Sequence, residues 1–298
     1  EWRVEEDLDD ENFVIQLEKQ IEESFSVSVA EERVSFALPN LVFWLQRDSQ
    51  FPRTTLKKLY TDIFSIFVIS SNRHKSAFDS CFLLIAGILG IGLKTNEYEN
   101  LLGEINELIG KELSINNIYW VLEVSEEIIR NNCPSEGSRR SFLEEVVSKI
   151  HPQLRRLSKL QLTNLKLLAS DLNWPISGEI SELLENSSPE DPLKIMDKMN
   201  IGIYSLMESA TSKAKEILQI SAPNSRVECN NDRAGTDKLK ALARNSDIVV
   251  ITWLAATHAA TNFINIHRGD RPIIYSKGKG FSSIIRAIEE YAANKVQS

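Results

Sequence analysis

One segment near the end of the chain, SKGKGFSS (residues 276–283), combines residue types that can bind an anion. Its lysines carry positive charge, its glycines suit a sharp turn, and either of its last two serines can cap a following helix, whose first amide groups and dipole attract phosphate. It does not match the G-x-x-x-x-G-K-[ST] phosphate loop. An anion site and a plain strand-to-helix turn therefore both stay open. The candidate residues are Lys277, Gly278, Lys279, Gly280, Ser282 and Ser283.

Two further candidates follow the apolar run DIVVITW (residues 247–253). Thr252 closes this predicted strand, and His258 begins a predicted helix, where an imidazole can contact a ligand or pack against the neighbouring loop. No histidine or cysteine lies at metal-ligand spacing from His258. The sequence also contains no nucleophile elbow, paired-carboxylate motif or GxGxxG fingerprint. We therefore predict no catalytic residues, metal or cofactor here, and an anion or nucleotide site stays open beside the structural reading of the turn.

A second group of basic residues lies in LRRLSKLQLTNLKLL (residues 154–168), which is predicted to form one amphipathic helix. Their spacing places them together on the face opposite the leucines. Such a face either contacts a nucleic-acid backbone or is simply solvated. The residues are Arg155, Arg156, Lys159 and Lys166.

Hydrophobic periodicity changes near residue 222. Residues 11–220 show mostly helical spacing, which includes a last helical pattern over residues 193–218. From residue 223 onward, short apolar runs alternate with amphipathic segments, a pattern typical of βαβ units with a parallel sheet. The predicted fold is mainly α: a helical scaffold domain over 1–222 and a small α/β, Rossmann-like or flavodoxin-like domain over 223–298.

The composition is typical of a globular protein, and charge is distributed unevenly along the chain. The 298 residues carry a net charge of -8, yet the segment from Arg226 to the end holds 11 basic and 7 acidic residues. This excess is smaller than a nucleic-acid-binding domain normally shows. Three widely spaced cysteines fit free thiols in a reducing compartment.

The sequence favours a cytoplasmic protein without a membrane partner. The longest apolar run, Cys81–Leu93, is shorter than the roughly 20 residues that cross a bilayer, and it is predicted to form a buried core helix. The amino terminus has neither an initiator methionine nor signal-peptide features, which predicts a fragment or a processed chain.

The last 70 or so residues carry a resemblance. The DIVVI strand, the Thr257-His258 pair and the GFSSII helix start resemble an uncharacterised bacterial Rossmann-like domain family with an Asp-plus-valines strand, a Ser-His motif and a Gly-x-Ser-Ser helix start. Thr257 replaces the usual serine, and no glycine-containing first strand is evident before Arg226. The resemblance implies a small domain of unknown activity that is attached to other domains, including those of bacterial antiviral defence proteins.

These observations favour a protein-interaction or assembly component of a bacterial complex, in antiviral defence, over a self-sufficient enzyme. Its expected partners are other protein subunits and a nucleotide or another phosphate-bearing ligand. Two alternatives stay open: a nucleotide-sensing or nucleotide-processing enzyme with its site at the strand edge, and a nucleic-acid-binding subunit that uses the basic helix face.

Overall fold

A computed structural model of the chain describes residues 3–25, 28–70, 74–114, 117–171, 177–186 and 195–297. These residues form 14 α-helices and one four-stranded parallel sheet, so the predicted fold class is confirmed. The chain divides into two compact units, Glu1–His151 and Pro152–Ser298. The domain boundary predicted at 222/223 falls inside the second unit.

The first unit is helical and is organised around its fifth helix. That helix is apolar on all sides, as a fully buried helix must be, and it packs against the third, fourth and seventh helices. The prediction of a buried core helix in Cys81–Leu93 is thus confirmed. The helices are α1 (Val4–Asp9), α2 (Glu11–Phe25), α3 (Ser28–Leu45), α4 (Lys57–Ile69), α5 (Lys75–Ile91), α6 (Thr95–Glu112), α7 (Ile118–Arg130) and α8 (Glu136–Ile150).

Two further expectations concern the whole chain. Cys81, Cys133 and Cys229 are all free thiols, as predicted. No helix within the described residues combines the length and the apolar character that a membrane span requires.

Within the described residues, the second unit contains the sheet and six α-helices. One element differs from the prediction: residues 200–204, inside the expected helical pattern of residues 193–218, form a strand, while residues 193 and 194 lie outside the described residues. The elements are α9 (Lys159–Asp171), α10 (Ser177–Asn186), β1 (Asn200–Tyr204), α11 (Glu208–Ser221), β2 (Arg226–Asn230), α12 (Asp237–Asn245), β3 (Ile248–Thr252), α13 (His258–Arg268), β4 (Ile273–Ser276) and α14 (Phe281–Gln297).

The strands lie in the order β2-β1-β3-β4 and all run parallel. This is the order found at the start of doubly wound, flavodoxin-like sheets. Helices α12 and α13 pack together over Tyr204, Val249 and Ile251 on one face. Helices α11 and α14 pack together on the other face, in agreement with right-handed crossovers. α9 lies beyond α11.

Gly202, in the middle of β1, permits close packing of α12 on the sheet. A Cβ atom at this position would lie 2.6 Å from Ser246 Oγ and 2.7 Å from Leu242 Cδ2. Real Cβ atoms do not approach other heavy atoms this closely, so any larger residue here requires the side chains of Ser246 and Leu242 to move. This strand also supplies the glycine-containing first strand that we expected to be missing.

Arg268, the last residue of α13, is only 3% exposed and joins three elements at the amino edge of the sheet. One terminal nitrogen donates to the carbonyl oxygens of Ala243 (2.8 Å) and Ser246 (2.6 Å). The other donates to those of Asp247 (2.8 Å) and Pro272 (3.0 Å). Burial lowers the pKa of Arg268. The guanidinium thereby satisfies carbonyl groups at the end of α12 and beside β3 and β4.

Candidate functional site at the carboxyl edge of the sheet

The sheet of the second unit has a topological switch point between β1 and β3, the place where doubly wound sheets usually bind ligands. The chain leaves β1 toward β2 on one side, and it leaves β3 toward β4 on the other side. The topological switch point therefore lies at the carboxyl ends of β1 and β3, where the loops after the two strands are joined by a hydrogen bond from the backbone N–H of Leu206 to the carbonyl of Ala255.

The loop after β1 is held by its neighbours. The backbone N–H of Ser205 donates to the carbonyl of Asn230 (3.1 Å), and that of Leu206 donates to Ala255 (2.7 Å). Ser205 Oγ accepts from the backbone N–H of Met207 (3.1 Å). Hydrogen bonds thus run from the β1 loop to the ends of both neighbouring strands.

Thr252 is fully buried at the end of β3. Its hydroxyl lies 3.3 Å from the carbonyl oxygen of Tyr204 and 3.4 Å from that of Ala255, and it can donate to either. The structure therefore places this predicted ligand residue in a loop-stabilising role. Whether it also contacts a ligand stays a prediction.

The loop after β2 is ordered by its own polar side chains. Asp232 accepts from Thr236 Oγ1 (2.5 Å) and from Asn230 Nδ2 (2.8 Å), and these hydrogen bonds lower the pKa of its carboxyl group. Thr236 also caps α12 by accepting from the backbone N–H of Leu239 (3.1 Å). Tyr204 Oη donates to the carbonyl of Asp232 (3.0 Å) and fixes this loop to β1.

Thr257 and His258 have different roles: the threonine side chain stabilises the fold, and the histidine side chain is exposed. Thr257 is the N-cap of α13: its Oγ1 accepts from the backbone N–H of Ala260 (3.2 Å) and donates to the carbonyl of Arg233 (2.8 Å). His258, the first residue of the helix, is exposed to solvent. The hydroxyl of this motif therefore builds the site, and the imidazole is presented outward.

Replacing Thr257 with alanine is expected to lower the free energy of unfolding by about 1 to 2 kcal/mol, because both the cap and the link to Arg233 are lost. Thr257→Ser keeps the hydroxyl and should stay close to the native value. Urea unfolding of both variants measures the difference. Equal losses in the two variants would contradict a role for the hydroxyl.

The SKGKGFSS segment forms the connection from β4 to α14. The helix begins at Phe281, so the N-cap position belongs to Gly280. The prediction that Ser282 or Ser283 caps the helix is wrong, since both lie in its first turn. Ser283 Oγ instead accepts from the backbone N–H of Gly278 (2.7 Å) and fixes the loop.

Ser282 and His258 are not brought together. Ser282 is buried, and its Oγ donates to Asn164 Oδ1 of α9 (3.0 Å). It therefore faces the layer of α9, α11 and α14, whereas His258 begins α13 on the opposite face of the sheet. Lys277 is exposed and Lys279 is half-buried in the loop that precedes α14. An anion role of the two lysines stays a prediction.

An exposed aromatic pair at this edge was missed in the sequence. The rings of Trp253 and Tyr275 meet edge to face with centroids 5.7 Å apart. They are 46% and 42% exposed. Trp253 directly follows the apolar run of β3, and Tyr275 lies opposite Ile251 on β4. A tryptophan just beyond a buried parallel strand was the available signal.

The basic group of residues 155–166 does not form one helix face. Arg155 and Arg156 are exposed in a separate 3-10 helix, His151–Arg156, whereas Lys159 and Lys166 lie half-buried on α9. The predicted single helix is wrong because Ser158 starts a new helix.

Ser158 and Gln161 form the capping box that separates the two helices. Ser158 Oγ accepts from the backbone N–H of Gln161 (3.2 Å), and Gln161 Oε1 accepts from that of Ser158 (2.9 Å). The S-x-x-Q spacing was visible in the sequence. A nucleic-acid role for the four basic residues stays a prediction.

The first unit holds a cavity of about 340 Å³ between α4 and α6. Lys57 Nζ lies 2.8 and 2.9 Å from the two carboxylate oxygens of Glu97, and this hydrogen bonding lowers the pKa of Glu97. Burial raises the pKa of Glu104, which accepts from Ser65 Oγ (2.7 Å). None of the site residues predicted from the sequence lines this cavity. Within the described residues, no three His, Cys, Asp or Glu side chains are grouped to hold a metal ion.

Comparison with known proteins identifies the family of the whole chain. The model of one family, described as DpdD-like, matches residues 1–287. No curated protein and no solved structure matches the chain. The match extends beyond the resemblance drawn from the C-terminal segment, because the family model covers the helical unit as well. This chain belongs to the DpdD-like family.

Proposed function

We propose that this protein is a non-catalytic assembly component of a cytoplasmic bacterial complex in antiviral defence. In this proposal the second unit holds a phosphate-bearing ligand at the carboxyl edge of its sheet, and other protein subunits bind the chain. Membership in the DpdD-like family is compatible with a role in defence.

The observation that supports the proposal is that side-chain hydroxyl groups at this edge hydrogen-bond to backbone carbonyl groups and hold the loops in place. The side chains of Tyr204, Thr252 and Thr257 each bond to a backbone carbonyl of a neighbouring loop. Such bonds fix the loops in advance, so a ligand finds its surface preorganised and loses less affinity to ordering. His258 and Lys277 are exposed at the same edge and supply groups that bind phosphate oxygen.

Charge reversal of the two loop lysines tests the ligand site. Native protein should gain thermal stability with pyrophosphate, because a ligand that binds only the folded state stabilises it. At about 100 times the Kd the gain is about 2.7 kcal/mol. The Lys277→Glu, Lys279→Glu double variant should lose most of this gain. Melting curves with and without pyrophosphate measure it within each variant.

The matched control reverses two charges at the opposite edge of the sheet, Arg244→Glu with Lys295→Glu. It should keep the gain seen in the native protein. Loss of the gain in both double variants would show a general charge effect and contradict the site.

The two alternatives predict different outcomes. A nucleotide-processing enzyme would convert nucleoside triphosphate in the purified chain, and this turnover would overturn the non-catalytic assignment. A nucleic-acid-binding subunit would be retained on DNA or RNA in a salt-dependent way that Arg155→Glu with Lys159→Glu abolishes.

Purification of the tagged chain from its native host tests the assembly role: stoichiometric partner subunits are expected, and a chain recovered alone would contradict it.

A further inference from the structure

The exposed ring pair of Trp253 and Tyr275 indicates what kind of phosphate-bearing ligand this edge would select. Aromatic side chains this large usually bury most of their surface. Here two adjacent rings keep 46% and 42% of their surface exposed, at the edge where ligands of doubly wound sheets bind. Planar heterocycles stack on such rings, whereas sugars and bare phosphate offer no aromatic face.

The ring pair is held by the sheet itself. Trp253 follows Thr252, whose backbone pairs with Ser276 of β4 and whose hydroxyl lies within hydrogen-bond distance of two carbonyl groups. Tyr275 lies within β4 in register with Ile251. Since the backbone of Tyr275 is fixed by strand pairing and Trp253 directly follows a paired residue, stacking a ligand ring on this pair costs little ordering of the protein.

A positively charged side chain lies near the rings along the chain. Lys277 follows Tyr275 by two residues and is exposed. The C-terminal segment from Arg226 has more basic than acidic residues. An aromatic surface with a lysine close to it in the chain is complementary to a ligand that has both a planar ring and a phosphate.

We propose that the ligand is a nucleotide, with its base stacked on Trp253, the Trp253 ring supported by Tyr275, and its phosphate directed toward Lys277. This inference depends on the phosphate-ligand site proposed above and adds the base as the element of recognition.

The test compares adenosine monophosphate, ribose 5-phosphate and inorganic phosphate by isothermal titration calorimetry. The native protein should bind the nucleotide about tenfold or more tightly than the sugar phosphate, in line with the measured strength of base stacking. Trp253→Ala should remove this preference and leave the affinity for ribose 5-phosphate within twofold. Tyr275→Ala should weaken nucleotide binding in the same direction, and Trp253→Phe should restore most of it.

The control variant is Ile220→Ala, which removes a side chain 52% exposed on α11 at the other face of the sheet. It should bind the nucleotide as the native protein does. Because Trp253 and Tyr275 lie on different elements, either variant alone keeps the inference testable if the other does not fold.

The outcomes separate the two proposals. Equal affinity for nucleotide and sugar phosphate, unchanged in Trp253→Ala, overturns the inference and leaves the phosphate site standing. No binding of any of the three compounds overturns both. Tighter, Trp253-dependent binding of a single-stranded oligonucleotide overturns the assignment of a mononucleotide.

Discussion

Replacing Arg268 with methionine is expected to lower the free energy of unfolding by about 3 to 5 kcal/mol. Methionine keeps an unbranched apolar side chain but removes the donors for the carbonyl oxygens of Ala243, Ser246, Asp247 and Pro272. Each carbonyl group then loses a charged donor and bears a desolvation cost, although Pro272 keeps the backbone N–H of Val249 (3.2 Å) as a donor. Urea unfolding of the full chain, followed by circular dichroism, measures the loss.

The matched control for this variant is Arg244→Met. Arg244 lies on α12 in the same unit, and its side chain is exposed, so the change should stay within about 0.5 kcal/mol of the native stability. Arg268→Lys should fall between the two, because one ammonium group does not reproduce the fork of a guanidinium. A loss below about 1 kcal/mol in Arg268→Met would contradict a structural role for the four hydrogen bonds.

Gly202→Ala is expected to lower the free energy of unfolding by about 1 to 3 kcal/mol, the usual cost of adding volume to a well-packed core. The added methyl group would overlap the side chains of Leu242 and Ser246 and force them to move within the interface of α12 and β1. The same substitution at Gly178, where the structure leaves open space, should be neutral or slightly stabilising in helix α10. Thermal and urea unfolding of both variants provide the comparison.

A double-mutant cycle tests whether the overlap causes this loss. Leu242→Ala alone should destabilise the protein by creating a cavity. Combined with Gly202→Ala, it should cost less than the sum of the two single losses, because the shorter side chain leaves room for the new methyl group. Strictly additive losses would show that the two positions do not clash.

Local sequence patterns predict the strands that can be recognised from their own residues alone. β3 reads as a run of β-branched residues, and β4 is a short apolar run that follows Pro272. β1 was assigned to a helix because NIGIY is short and the segment after it has helical periodicity. Gly202, which looks unfavourable in a strand, is explained only by the approach of α12, a tertiary contact that no local window contains.

The site could be predicted only where it depends on local patterns and not on tertiary contacts. The edge of the sheet and its loops followed from the alternation of strands and helices, and Thr257 stood at the expected start of α13. Ser282 and Asn164 are 118 residues apart in the chain, so the sequence around either residue does not indicate their contact. Arg268 bonds to carbonyl groups as far as 25 residues away, and carbonyl groups have no sequence signature. Trp253 and the Ser158 capping box, in contrast, have recognisable signals in the local sequence.

The cross-bonded loops at the carboxyl edge also bear on how such a domain can change over evolutionary time. Loops that follow strands are normally where a fold tolerates insertions, and each varies independently of the others. Here the loop after β1 is bonded to Asn230 and Ala255, and Thr257 is bonded to Arg233. Lengthening one loop would leave donors and acceptors of its neighbours unpaired, so the three loops are constrained to diversify together. New ligand preferences would then arise by exchange of the exposed side chains, with loop lengths held constant.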